Sequence, residues 1–99
     1  MARRRAEKVD ANQADIVAAL RDIPFLGVEV GHDDILVGWM GKSYWFEIKS
    51  PDVVSKKTGR VIDSEITDSE WDRYNNWPGH YKIVWSLDQI LEELGIKGA

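Results

Sequence analysis

Every second residue is apolar through two short runs, 34–40 (DILVGWM) and 43–49 (SYWFEIK), separated by Gly41-Lys42. Period-two alternation is what a strand with one buried face requires, and a short Gly-containing break between two such runs signals a hairpin. With a two-residue loop at Gly41-Lys42, Met40 pairs with Ser43, Leu36 with Glu47 and Asp34 with Lys49. Side chains alternate along a strand, so Asp34, Glu47 and Lys49 then share one face. The other face carries Ile35, Val37, Trp39, Tyr44, Phe46 and Ile48, all apolar. A three-residue loop would break this parity.

One face therefore builds a core and the other carries two carboxylates and an ammonium. Alternating charges also suit a solvated hairpin face, where a cross-strand Asp–Lys pair is a small stabiliser. The functional reading is a hard divalent cation. Mg²⁺ takes a few carboxylate oxygens, keeps several waters and completes its shell with phosphate. Such an ion polarises a phosphoryl oxygen and acidifies bound water, and a nearby ammonium steadies the charge that develops. The chemistry indicated is metal-assisted phosphodiester hydrolysis.

The 99 residues make one small domain. The absence of cysteine excludes disulfides and thiolate metal sites and suits a reducing cytosol. No apolar run approaches the ~20 residues of a membrane span. The N-terminal MARRRAEK lacks the apolar stretch of an export signal. Gly-rich phosphate loops and Ser-His-Asp patterns are also missing.

The net charge of −4 argues against a protein that simply coats nucleic acid, but its distribution is uneven. Arg3, Arg4, Arg5 and Lys8 stand against Glu7 alone, and Lys49, Lys56, Lys57 and Arg60 against Asp52 alone. Two basic segments on an acidic body suggest localised contact with a polyanion. We read a basic N-terminal arm over 1–9 and a single domain over 10–99.

A helix is expected from about Ala11 to Arg21, with Asp10 as N-cap and Gln13 completing a capping box. Gln13 also lies on the same face as Val9, Ile16, Val17 and Leu20, a polar group in an apolar stripe. A strand over 25–30 follows, then the hairpin, then a polar stretch over 50–65 read as a long mobile loop. Thr67 and Glu70 form a capping box for a second helix that turns Trp71, Tyr74 and Trp77 inward and stops at Pro78-Gly79. A strand over 81–85 precedes a last helix capped by Ser86, with Leu87, Ile90, Leu91 and Leu94 on one face and Gly95 at its end. The order is α-β-β-β-α-β-α.

This order, with Asp34 on the second strand and Glu47-x-Lys49 on the third, resembles the PD-(D/E)XK nuclease superfamily. More narrowly the chain looks like the small stand-alone VRR-NUC domains of phages and prophages. The likeness runs through Asp10 to Gln13, Asp33 to Gly38, Tyr44 to Lys49, Ile66 to Trp71, Trp77-x-Gly79 and Leu94 to Ile96. It implies a restriction-endonuclease-like α/β domain with a mixed four-stranded sheet and a short C-terminal helix. It also implies a Mg²⁺- or Mn²⁺-dependent deoxyribonuclease. Asp34 and Glu47 would hold the metal with the backbone carbonyl of Ile48, and Lys49 would be the catalytic lysine. Gln13 stands where relatives often have Glu or Gln near the metal, and Glu70 where they often have Gln. Asp33 replaces the motif's proline. Products with 5′-phosphates, branched, flapped or Holliday-junction DNA as substrate, a homodimer and a bacterial host cytoplasm are further implications. Arg3, Arg4, Arg5, Lys56, Lys57 and Arg60 are candidates for phosphate contacts.

Of the five tryptophans, Trp39, Trp71 and Trp77 are expected in the core or a dimer interface, whereas Trp45 is placed on the site face as a candidate substrate contact. His32 and His80 are given no role. The alternative is a catalytically inactive DNA-binding or protein-interaction module on the same fold, and the intact Asp34, Glu47 and Lys49 favour the enzyme over it.

Overall fold

In the computed structural model the backbone is described for residues 2–32 and 34–96, and the side chains for 12–32 and 34–96. Helix α1 spans Ala2–Arg21, and strands β1 (Gly27–Val30), β2 (Asp34–Trp39) and β3 (Lys42–Ile48) follow. Helix α2 (Asp68–Asn76), strand β4 (His80–Val84) and helix α3 (Leu87–Leu94) complete the chain. The sheet order is β1-β2-β3-β4, antiparallel except for the parallel β3–β4 pair, which α2 connects. This is the expected α-β-β-β-α-β-α order with a mixed sheet. Among the described residues no helix is long and apolar enough to cross a membrane.

The apolar hairpin face is the floor of the core. Ile35 and Val37 of β2 and Tyr44, Phe46 and Ile48 of β3 are buried with Ile16, Val17 and Leu20 of α1 and Ile90, Leu91 and Leu94 of α3. Two helices thus cover one face of the sheet, and each fully buried aliphatic side chain contributes about 1.5–3 kcal/mol. Helix α3 is held at both ends as expected. Ser86 and Gln89 form a reciprocal capping box, and Gly95 closes the helix in the left-handed conformation, with Ile96 N–H donating to Leu91 O.

Four expectations are corrected. Helix α1 begins at Ala2 rather than near Ala11, so Asp10 lies inside the helix and Gln13 is not a capping-box residue. Residues 2–10 hold no glycine or proline and are rich in Ala, Arg, Lys and Glu, strong helix formers that carry the helix through the basic segment. Strand β1 starts at Gly27 because Phe25 adopts φ 69°, outside the extended region, and its ring is 99% exposed. The 50–65 stretch is built rather than loose. Short 3₁₀ turns over Pro51–Val53 and Asp63–Glu65 flank a Val54–Val61 bridge, and Val61 is buried. Helix α2 does not turn all three aromatics inward. Tyr74 and Trp77 are about half exposed, because the sheet-facing side of this helix is occupied by Glu70 and Arg73.

The hairpin register also differs. Trp39 pairs with Lys42, so the loop is Met40-Gly41, and Asp34 opposes Glu47 rather than Lys49. Both loop residues have positive φ, 54° and 81°, as a type I′ turn requires, which puts the glycine second. The shift moves the pairing by two positions, so the division of faces survives. Met40 bears the cost, since a non-glycine residue in the left-handed region loses about 1–2 kcal/mol. Its side chain is 79% exposed, so it recovers little by packing. Met40→Asn is expected to raise the free energy of unfolding by about 1 kcal/mol, seen as a higher urea midpoint at unchanged slope. A lower midpoint would show that the Met40 side chain matters more than its backbone.

Candidate active site

The outer face of the hairpin carries Asp34, Leu36 and Gly38 from β2 against Glu47, Trp45 and Ser43 from β3. Asp34 and Glu47 are direct cross-strand partners, and Lys49 follows two residues later on the same side. Like charges placed directly opposite are destabilising. Here one of them, Glu47, is only 2% exposed.

Helix α1 fixes both ends of this arrangement from the core side. Gln13, itself buried, donates from Nε2 to the Asp34 carbonyl at 3.1 Å. Its neighbour Asn12 donates from Nδ2 to the Lys49 carbonyl at 3.0 Å. Gln13 therefore reaches the site through the backbone of Asp34. The Asp34 carboxylate is aimed by Trp45, whose Nε1–H donates to Oδ2 at 2.8 Å. A Cβ at position 31 would collide with Asp34 Oδ1, so Gly31 provides the room this carboxylate occupies. A shallow cleft of about 380 Å³, lined by Glu29, Gly31, Asp34, Leu36 and Trp45, opens beside it.

Helix α2 closes the site from outside. Glu70, one turn into the helix, pairs with Lys49 at 2.9 Å and also accepts from Thr67 N–H at 3.0 Å, completing the capping box. The capping and site roles of Glu70 thus coincide. Burial pushes its carboxyl up, but the Lys49 ammonium and the Thr67 amide outweigh this and hold it below its ordinary range. Arg73, three residues on, places a guanidinium nitrogen 3.7 Å from Glu47 Oε1. Tyr81 of β4 donates its hydroxyl to the same oxygen at 3.4 Å. Burial and the charge of Glu47 push the Tyr81 hydroxyl up, so it remains a protonated donor.

Trp45, Trp77 and Tyr81 pack edge to face at 5.0 and 5.1 Å, and Arg73 lies over the Trp45 ring at 4.8 Å. Trp45 is therefore a hub that touches both Asp34 and Arg73.

The structure brings together Asp34, Glu47, Lys49, Glu70 and Trp45, with Ile48 directly after Glu47 and its side chain in the core. Lys56, Lys57 and Arg60 are exposed on the turn beyond Ser55. The side chains of Arg3, Arg4 and Arg5, and Asp33 altogether, lie outside the described residues. His80 stacks on Tyr44 at 4.7 Å, and His32 is exposed. Asn12, Arg73 and Tyr81 are additional site residues. The Glu70–Arg73 spacing was the available signal for Arg73, since it sets opposite charges one helical turn apart, matching Glu47-x-Lys49. No sequence signal distinguishes Asn12.

An oxygen-only donor set of Asp34, Glu47 and the Ile48 carbonyl fits Mg²⁺ or Mn²⁺. Among the described residues no three His, Cys, Asp or Glu side chains converge to hold an ion by themselves. An ion here would draw its remaining ligands from water and phosphate. The chain matches no protein-family model, no curated protein and no solved structure.

Glu70→Ala removes the counter-ion of Lys49 and the acceptor for Thr67 N–H together, and is expected to cost roughly 3–4 kcal/mol. Because Glu70 is held below its ordinary range in the folded chain, its contribution is complete above the value it has in the unfolded chain. It is lost as the pH falls through the folded value, where the unfolded chain binds more protons. Glu70→Gln keeps an oxygen for Thr67 and is expected to flatten the acid limb of unfolding free energy against pH. An unchanged limb would assign acid sensitivity to other carboxyls.

Proposed function

We propose that this protein is a metal-dependent nuclease that hydrolyses phosphodiester bonds in DNA. The observation that carries the reading is the direct opposition of Asp34 and Glu47, with Lys49 on the same face. Two carboxylates so placed, one of them buried, lose much of their repulsion when a divalent cation lies between them. Asp34 and Glu47, with the Ile48 carbonyl, would hold Mg²⁺ or Mn²⁺. Bound there, such an ion supplies Lewis-acid polarisation of the phosphoryl oxygen and an acidified water.

The chain's own residues supply orientation and charge. Trp45 aims Asp34, Tyr81 donates to Glu47, and the Gln13 and Asn12 amides fix the backbone at Asp34 and Lys49. Lys49 brings the ammonium that steadies the attacking water and the charge developing on phosphate. The restriction-endonuclease-like fold, 5′-phosphate products, branched, flapped or four-way-junction DNA as substrate, a homodimer making paired cuts and a bacterial cytoplasmic setting rest on the resemblance to VRR-NUC domains. Arg3, Arg4, Arg5, Lys56, Lys57 and Arg60 are proposed phosphate contacts, which would make binding fall steeply with salt.

One observation favours a second reading. Lys49 is tied to Glu70 at 2.9 Å where relatives often have a neutral glutamine, which suits a DNA-binding or protein-interaction module without turnover. End-labelled single-stranded, duplex, flap and four-way-junction DNA separate the two when incubated with Mg²⁺, Mn²⁺ or EDTA. The nuclease is expected to cut only with metal, and Asp34→Ala and Lys49→Ala are each expected to lower the rate by about 10²-fold or more. No cleavage of any substrate, with binding intact in EDTA, would overturn the enzyme and leave the module.

A further inference from the structure

We propose that Arg73 is a phosphate-binding residue held in reserve: it neutralises Glu47 in the metal-free protein and turns to the substrate strand when a divalent cation takes that carboxylate. This rests on the nuclease reading and adds a residue and an order of events to it.

The pairing of charges is the starting point. On β3, Glu47 and Lys49 are two residues apart; on α2, Glu70 and Arg73 are three apart, on the side facing the sheet. Each helix residue meets the opposite charge, Glu70 with Lys49 and Arg73 with Glu47. The two pairs are not equivalent. Lys49 and Glu70 meet at 2.9 Å with side chains 12% and 8% exposed, a closed contact. Arg73 stands 3.7 Å from Glu47, beyond hydrogen-bond range, and keeps 31% of its side chain exposed. Its position is held as much by stacking, at 4.8 Å over Trp45 and 5.9 Å over Tyr81. A planar guanidinium can swivel on an aromatic face without losing that contact. Arg73 is thus the one described cation at the carboxylates that is both weakly anchored and open to a ligand.

Charge balance gives the direction of movement. The carboxyl groups of Asp34, Glu47 and Glu70 face two cations, Lys49 and Arg73, and Glu47 and Glu70 also meet each other. A bound dication adds two positive charges to this cluster and favours the approach of an anionic phosphodiester. It also shares Glu47 with Arg73, so the guanidinium loses much of its attraction there and faces a neighbouring cation. A phosphate oxygen pair is the acceptor its forked donors match best.

The test uses the full chain and Mn²⁺ alone, without DNA. Titration calorimetry is expected to show Arg73→Gln binding Mn²⁺ about threefold or more tighter than wild type. Mn²⁺ should also raise its melting temperature by more than that of wild type. Fluorescein-labelled duplex is then titrated in EDTA and in Ca²⁺, with gels confirming that it stays intact. The two proteins should bind alike in EDTA, and Arg73→Gln should bind about tenfold more weakly in Ca²⁺. If Arg73→Gln melts below the assay temperature, Arg73→Lys replaces it. That variant keeps the charge but loses the fork, so Mn²⁺ affinity should stay within about twofold and duplex binding in Ca²⁺ should fall about threefold. Mn²⁺ binding by wild type, with duplex affinity in Ca²⁺ unmoved by the Arg73 substitution, would overturn the role of Arg73 and leave the nuclease standing. No Mn²⁺ binding by wild type would overturn the nuclease reading and this inference with it.

Discussion

Glu47 is almost completely buried on a strand whose other face is the floor of the hydrophobic core, and the outer side of the sheet is organised around its charge. An isolated carboxylate in that position would be expensive to hold ionised. The fold answers with groups from separate elements: the Tyr81 hydroxyl from β4, the Arg73 guanidinium from α2, and Asp34 placed opposite on β2. The first two both attract Glu47 Oε1 and the third opposes it. A structural salt bridge would need only the first two. On the nuclease reading the second carboxylate across the strand pair serves to gather a cation, a role that an ordinary solvated hairpin face does not require.

Helix α2 follows from the same constraint. An amphipathic helix laid on a sheet normally turns aromatics inward, and Trp71, Tyr74 and Trp77 have the spacing to suggest it. The sheet here presents Glu47 and Lys49, so the buried side of α2 is Glu70 and Arg73, and Tyr74 and Trp77 remain about half exposed. Hydrophobic spacing alone reads such a helix wrongly because what it covers is charge. The capping box shows the economy of this solution: one Glu70 oxygen serves both the helix N-terminus and Lys49.

What the sequence made legible follows the strength of local periodicity. The β2–β3 alternation decided the two faces correctly, and an error of two residues in register left that division intact because side-chain orientation repeats every two. The same error named the wrong partner for Asp34, since a glycine marks a turn without saying whether it stands first or second in it. The start of α1 was missed because Asp10 and Gln13 imitate a capping box, and a cap is a signal only where the preceding residues disfavour helix; 2–9 favour it. The 50–65 segment was read as loose because its order comes from a single Val54–Val61 bridge and two 3₁₀ turns, which leave no periodic trace. Asn12 and Tyr81 act through contacts 37 and 34 residues away in sequence, beyond the reach of local pattern.

The outer face of the sheet is covered unevenly, and on the nuclease reading this fixes the side from which a strand of DNA approaches. Helix α2 lies against the β3–β4 half, where Glu47, Lys49 and Glu70 are enclosed. The β1–β2 half carries Gly27 opposite Gly38 with open space above both, then the exposed Glu29 opposite Leu36, which is 45% exposed. Asp34 sits at the boundary between the two halves, at the edge of its cleft, and Arg73 is the partly exposed cation on the covered side. On that reading an extended phosphate backbone comes closest over the glycines and passes Glu29, which lines the cleft beside Asp34. It would meet Asp34 before Glu47 and would bring a phosphate between the open carboxylate and the guanidinium. On the nuclease reading, then, one half of the face encloses the charges, and the paired glycines of β1 and β2 leave the other half open next to Asp34.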